Sequence, residues 1–470
     1  MKKALALALA LFLVFGIWAA VLVKDQFARR DDVVFTENVI LGDPSMVEGV
    51  QVEVTAEWDN RLFWQSVYTA GEDPAMRTEY TFAERKIYPD PPFQPSGVRM
   101  ETVIEPYIPY DIFENPDVQL DGIAQKYYDL AQRTPAGGYG EETILLSDCM
   151  EYYPLSLSIE VGEYRTIWSS EWEQEHFTDA QWELYEIFSD YFKIPVLEGE
   201  TYDIHLSKNE TGDVNTMGGG SGDADGYYMF TWSVVTEDAC IFTFNTDTQL
   251  GNTIDTSHLP DGYGLYRMPY TYDGEDMETF SIGEIEMVHP LETGITIEQI
   301  NLIDRGSKVE LITCEADSTT IVYYLFDAET MELLQTFSFD KNYLYYVYHN
   351  DAQGLTLLIF DDKLVLLQKN TEGLYDIVLD VENGADLFYE IFSNNLSFTF
   401  DGENLLICTV LQTQRSYMEY ESAGFTLAAY NSDGMYYLAK YESSLATGHD
   451  GMRYDYDCHV LDRNGLAVTW

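Results

Sequence analysis

The chain has 470 residues, 81 acidic and 25 basic, for a formal net charge of −56. So few cations exclude a nucleic-acid binder, which needs Lys and Arg to displace counterions from phosphates. An anionic lipid surface would repel the chain for the same reason. Hydrophobic residues at 46% allow buried cores, and the length suggests about two or three domains.

The first element is an apolar run. Ala4 to Val23 carries no charge and follows Lys2 and Lys3. A helix of about 20 such residues spans a hydrocarbon core of roughly 30 Å. Residues 1–30 therefore read as a signal anchor or transmembrane helix that contacts membrane lipid; the alternative is a signal peptide cleaved after Ala19. Lys24, Arg29 and Arg30 nearly balance the cations on the other flank, so Lys and Arg counts alone do not orient the run. A short basic N-terminus leading straight into an apolar run has the form of a secretory signal, and the chain beyond residue 30 holds 80 acidic and 20 basic residues, a net charge of −60. The expectation is a single-pass protein of the cell membrane with the bulk of the chain extracytoplasmic.

Residues 31–48 read as a stalk, 49–210 as a β-rich region with two helices, and 211–470 as β repeats. Val52, Val54, Ala56 and Trp58 alternate with polar residues, and Asp59-Asn60 can turn the chain into a strand from Leu62 to Tyr68. Seven of the 15 prolines fall between Pro89 and Pro116. Proline removes a ladder donor, so this stretch is expected to be extended and free of regular elements. Asp121 can cap a first helix with Ile123, Tyr127, Leu130 and Ala131 on one face, ending before Pro135. Thr178 and Gln181 form the capping box of a second, and Phe177 and Trp182 occupy its staple positions. Leu184, Ile187, Phe188 and Phe192 continue its apolar face.

From about residue 200 the pattern is strand, turn, strand. Ala239 to Phe244 meets a turn at Asn245. Val322 to Phe326 meets Asp327-Ala-Glu-Thr and then Leu333 to Phe339. Leu364 to Lys369 meets a turn at Asn370, and Phe425 to Tyr430 one at Asn431. These turns start 82, 43 and 61 residues apart, the last interval holding a polar insertion at Gln412 to Ser422. A spacing of roughly 40 residues with four short strands per unit is the pattern of propeller blades. The stretch Val322–Phe339 resembles the outer hairpin of a β-propeller blade, without the Trp-Asp or double-glycine signatures of the WD40 and kelch families. The resemblance implies a mainly β fold of propeller-like repeats with a small α+β N-terminal region. The chain is also similar to uncharacterised acidic, membrane-anchored extracytoplasmic proteins of Gram-positive anaerobes, a group that implies no activity. The last stretch, Asp455 to Trp470, reads as a Cys458–Leu461 strand, a turn at Asp462 to Gly465 and a Leu466–Trp470 strand; it is too short for a blade, and the Val50–Tyr88 strands are the candidates to complete it, since closure hides sheet edges.

Residues that carry chemistry are few. The seven histidines show no zinc-ligand spacing. His205 and His459 sit in strand-like runs, as packed or surface imidazoles. There is no Walker A sequence and no G-x-S-x-G elbow. Gly137-Gly138-Tyr139-Gly140 reads as a turn. Of the five cysteines, Cys149, Cys240, Cys314, Cys408 and Cys458, the middle three lie in apolar runs, as small buried hydrophobes. The five make a poor disulfide framework, and the spacing chooses no pair. In Met217 to Gly226, Asp223 and Asp225 stand among glycines and could offer oxygens to calcium; the EF-hand spacing is absent, and the plainer reading is a flexible loop. Glu171 to His176 mixes carboxylate, indole and imidazole, with a solvated loop as the plainer reading. Tyrosines cluster at Tyr343, Tyr345, Tyr346 and Tyr348.

With no reaction-bearing motif, the chain reads as a non-enzymatic binding or sensing ectodomain of the cell envelope. Its expected ligand is an envelope protein or a glycan. The alternative is an envelope hydrolase acting on glycans or peptides with an Asp/Glu acid–base pair.

Overall fold

The computed structural model describes residues 12–18, 35–58, 62–72, 76–82, 95–102, 104, 122–161, 164–165, 177–221, 226–248, 251–272, 280–316, 319–340, 343–382, 396–416, 419–443 and 466–470. The chain is mainly β and divides into two compact units: residues 1–89 with 344–470, and residues 90–343.

Among the described residues, the first unit holds three antiparallel sheets. One is a four-stranded meander, β20(Leu344–Asn350), β21(Leu355–Phe360), β22(Lys363–Lys369) and β23(Tyr375–Glu382). Tight turns explain the short connections: Asn370 Oδ1 accepts from the amides of Glu372 and Leu374, and Gly373 takes φ 79°, a left-handed conformation that favours glycine. A second sheet runs β24(Leu396–Phe400), β25(Leu405–Ser416), β26(Glu419–Asn431) and β27(Gly434–Ser443). The polar insertion at Gln412 to Ser422 lies largely within β25 and β26, which continue as one long hairpin.

The outer edge of that sheet is covered by β1(Phe35–Leu41), antiparallel to β27. The segment read from sequence as a stalk therefore contains a paired strand. The third sheet consists of β2(Gln51–Trp58), β3(Leu62–Thr69), β4(Met76–Phe82) and β28(Leu466–Thr469). Gln51 to Val54 pair with Thr469 to Leu466, so the end of the chain completes a sheet begun by the Val50–Tyr88 strands.

A buried polar cluster ties this unit together. Tyr441 Oη on β27 lies 2.8 Å from Tyr437 Oη and 2.8 Å from Tyr68 Oη on β3, and donates to Glu37 Oε1 on β1 at 3.0 Å. The Phe425 and Tyr441 rings stack beside them at 4.5 Å.

The second unit is built on β5(Gly97–Thr102), β6(Tyr139–Leu145), β7(Leu155–Val161), β8(Tyr164–Arg165), β9(Thr201–Lys208) and β10(Val214–Ser221), with β11(Thr231–Val235), β12(Ala239–Phe244), β13(Gly264–Thr271), β14(Ser281–Ile282) and β15(Glu286–Pro290), and a last meander β16(Thr296–Ile303), β17(Lys308–Cys314), β18(Ile321–Asp327) and β19(Leu333–Phe339). Its sheets run β5-β7-β8, β10-β9-β6, β11 to β14 with β15 also on β13, and β16 to β19. β5 corrects the expectation for the proline-rich stretch. It occupies the proline-free window between Pro95 and Pro106, where every ladder donor is intact.

Two helices pack on these sheets. α1(Gly122–Arg133) buries Ile123, Tyr127, Leu130 and Ala131 against Ile144, Tyr202, Ile204 and Leu206. α2(Asp179–Tyr191) carries the expected capping box: Thr178 N donates to Gln181 Oε1 at 2.9 Å, and Gln181 N to Thr178 Oγ1 at 3.3 Å. Phe188 and Phe192 pack on Phe242 of β12. Ile187, expected on the buried face, is exposed. It lies one position from Phe188, which places it about 100° around the helix from the seam.

The apolar leader is only partly described. Residues 12–18 are helical, and their large apolar side chains are exposed. Among the described residues, no helix is long and apolar enough to cross a membrane.

Candidate functional site

Neighbouring strands of the first unit are joined by side chains instead of a backbone ladder. Asn350 Nδ2 on β20 donates to the Phe398 carbonyl on β24 at 2.8 Å. Val468 N on β28 donates to Ser397 Oγ on β24 at 3.3 Å. Gln353, in the turn after β20, accepts from Thr399 Oγ1 at 3.0 Å and from Phe400 N at 3.3 Å. Each of β20, β24 and β28 ends its own sheet, and these bonds satisfy groups that a sheet edge would leave open. The second unit uses the same device: Val98 N donates to Ser233 Oγ and Met100 N to Thr231 Oγ1, joining β5 to β11.

The three side-by-side strands of the first unit share a second property. Their sequences are LYYVYHN, LSFTF and LAVT, without one charged side chain. In a chain of net charge −56 this is a local exception. Its prominent groups are on β20: the Tyr345 and Tyr346 rings lie 6.5 Å apart and the Tyr346 and Tyr348 rings 5.7 Å apart. All three are half-buried, packed in part on the core formed by Leu355, Leu357, Ile359 and Phe398. Burial, with Tyr346 adjacent, pushes the Tyr348 phenol up to about 12, so it is neutral and a hydrogen-bond donor near pH 7. His349 Nδ1 lies 3.1 Å from the hydroxyl of buried Thr356 on β21, which fixes its ring. One face of β20 offers flat rings and phenols, Tyr346 and Tyr348, and the opposite face carries the His349 imidazole, with no charged side chain on the strand.

Three of the four tyrosines singled out from sequence thus come together on one strand. Asn350, Gln353, Ser397 and Thr399 were not legible. Their signal is a polar residue in or just after a terminal strand, and nothing in the sequence marks a strand as terminal. His205 lies on β9, stacked on Tyr139 at 6.1 Å. Gly137 takes φ 70° in the turn before β6. Cys240, Cys314 and Cys408 are buried on β12, β17 and β25, and burial pushes the Cys240 thiol up to about 12. Asp223, Asp225, Cys458, His459 and Glu171 to His176 lie outside the described residues, as does most of Ala4 to Val23. Among the described residues, no group of three or more His, Cys, Asp or Glu is placed to hold a metal ion. Met217 to Ser221, read as the start of a loop, is the second half of β10.

For the hydrolase alternative, Glu298 on β16 is a half-buried carboxyl whose pKa is raised by burial, the shift expected of a general acid.

No family model matches the chain, and no curated protein matches it. Solved structures resemble it at low identity. Oligogalacturonate lyase from Vibrio parahaemolyticus is 10% identical, with 87% of this chain and 98% of that one covered and a TM-score of 0.26. The β-propeller domain of the Trilobed protease from Pyrococcus furiosus is 7% identical, covering 44% and 55%, with a TM-score of 0.23. A β-propeller domain from Myceliophteria thermophila is 9% identical, covering 53% and 83%, with a TM-score of 0.24.

Proposed function

We propose that the chain is a propeller-like, non-enzymatic binding or sensing ectodomain of the cell envelope, tethered by Ala4 to Val23, and that it takes a neutral, hydroxyl-rich ligand such as a glycan on β20. The observation that carries this reading is the uncharged, tyrosine-bearing surface in a chain that is otherwise strongly acidic. Aromatic faces pack on the apolar faces of sugar rings, while phenols bond their hydroxyls. A charged ligand finds no counter-charge on these three strands. The four-stranded meanders, and the terminal strand that completes the sheet of β2 to β4, support the propeller-like reading.

Titration calorimetry with a panel of neutral oligosaccharides tests the site. Binding that weakens by about tenfold in Tyr346→Phe, as loss of one hydrogen bond of about 1–1.5 kcal/mol implies, is the expected result. No heat with any neutral glycan, or binding indifferent to Tyr346 and Tyr348, would dispose of it. Trypsin added to intact cells tests the topology: an extracytoplasmic chain is cut, and a protected one rejects the tether.

The acid–base hydrolase reading needs a second carboxyl facing Glu298. Release of sugar or peptide fragments by the chain, lost in Glu298→Gln, would favour it over a binding role. The calcium expectation at Asp223 and Asp225 stands on sequence alone, and calorimetry with calcium chloride decides it: no heat, or heat unchanged in Asp223→Ala, ends it.

A further inference from the structure

Tyr346, Tyr348 and Asn350 stand opposite Ile359, Leu357 and Leu355 of β21, so the three share one face of β20. Those partners belong to a core that β24 also builds, through Phe398 and Phe400, and Tyr346 and Tyr348 pack half-buried against it. How far the two rings stand clear therefore depends on how β20 meets β24. Among the described residues no backbone ladder joins these strands, because each ends its own sheet.

The join is made by two residues of one turn. Gln353 N donates to the Asn350 carbonyl at 3.2 Å, which makes Asn350 and Gln353 the first and fourth residues of a β-turn. Asn350 Nδ2 donates to the Phe398 carbonyl at 2.8 Å and to Gln353 Oε1 at 3.3 Å, and Asn350 Oδ1 accepts from Gln353 N at 3.3 Å. Both amide hydrogens of Asn350 are thus engaged within the protein, although it is the third residue in the row of the rings. Gln353 Oε1 also accepts from Thr399 Oγ1 at 3.0 Å and from Phe400 N at 3.3 Å, and Gln353 Nε2 donates to the Phe400 carbonyl at 3.5 Å. One side-chain oxygen therefore gathers donors from β20 and from β24.

We propose that Asn350 and Gln353 are positioning residues for the tyrosine face: they clamp β20 to β24 and hold Tyr346 and Tyr348 in the arrangement that takes a neutral glycan. The clamp's role in binding rests on the reading of β20 as the glycan surface. Asn350 contributes through β24, with no amide hydrogen left for a ligand. Without the shared oxygen of Gln353 the two sheets meet less firmly, and the competent arrangement of the rings is populated only in part. Apparent affinity then falls by that fraction.

The test reads binding and ring environment separately. Gln353→Met keeps the length of the side chain and removes the shared oxygen. Calorimetry with a neutral oligosaccharide that the unaltered chain binds should show about tenfold weaker binding. Gln353→Glu, which keeps an accepting oxygen, should restore it. Fluorine NMR of the ligand-free chain, with fluorotyrosine in place of Tyr348, should show a shifted or broadened line in Gln353→Met and the original line in Gln353→Glu. Should Gln353→Met lower the thermal midpoint, Thr399→Val, which removes one donor to the same oxygen and leaves β20 intact, is read in its place. Glycan binding that is equal in the unaltered chain and in Gln353→Met overturns the clamp and leaves the glycan surface standing. If the unaltered chain binds no neutral glycan, the reading of β20 fails instead, and an unchanged fluorine line in Gln353→Met overturns the clamp as well. Failure of Gln353→Glu to restore either signal overturns the role of the shared oxygen.

Discussion

Three phenols and one carboxylate meet where β1, β3 and β27 converge, with Tyr441 at the centre, bonded to Glu37, Tyr68 and Tyr437. Replacing its hydroxyl removes a partner from Tyr68 and leaves Tyr437 the longer bond to Glu37 Oε1 at 3.5 Å, and loss of a partner by a buried polar group costs about 1–3 kcal/mol. Tyr441→Phe should lower unfolding stability by that amount in urea titration; an unchanged midpoint would show the cluster to be energetically idle. Burial raises the pKa of Tyr68, Tyr437 and Tyr441 above their ordinary value. The folded chain therefore holds them neutral while the unfolded chain ionises first. Their contribution is complete below pH of about 10 and is lost as pH rises toward the folded values. Thermal midpoints measured from pH 8 to pH 11 should fall above about pH 10, and fall less in Tyr441→Phe. None of this cluster was legible beforehand. Glu37 and Tyr441 are 404 positions apart, and no local pattern links them.

Elements whose rules are local were legible. The box of Thr178 and Gln181, with the 5.3 Å contact of the Phe177 and Trp182 rings, forms as their spacing dictates. Thr178→Ala should cost about 1 kcal/mol, seen as a lower urea midpoint, and Thr178→Ser should restore it; equal stability of the two variants would mean that the cap contributes nothing. Elements set by tertiary context were less legible. β12 was read at its observed bounds, Ala239 to Phe244, but β21 was not singled out; both are buried at every position, so their apolar runs lack the alternation that marks a half-exposed strand. β10 was read as a loop because glycines argue for one, and only the approach of Tyr127, Tyr202 and His205 explains a strand there. β5 was missed because prolines on either side hid the clear window between them.

At the scale of the molecule, the first unit is closed by its own far end. β28 supplies the edge partner of β2 and buries Val468. Truncation before Leu466 should cost at least the burial of that valine, about 1.5–3 kcal/mol, and should uncover β2 as an unprotected edge prone to aggregation. Calorimetric scans of the truncated and full-length chains measure this, and identical midpoints would mean that the strand is dispensable. The sequence pointed to the Val50–Tyr88 strands as the partners of the chain end, because Asp455 to Trp470 is too short for a blade; the Cys458–Leu461 strand of that reading lies outside the described residues. It did not show that residues 35–41 join the same unit.

This threading imposes an order on synthesis. The ribosome delivers residues 90–343 as one uninterrupted block, so that unit has its whole core as soon as Tyr343 clears the exit tunnel. Of the strands made before it, β2, β3 and β4 can pair with one another, but β1 waits for β27 and the outer edge of β2 waits for β28. Nascent chains arrested shortly after Tyr343 should therefore resist protease across residues 280–316 while β1 and the edge of β2 are cut. Equal digestion of both stretches would mean that neither assembles before translation ends. A chaperone that shields the early strands would then matter more to the yield of this protein than any single contact in its finished form.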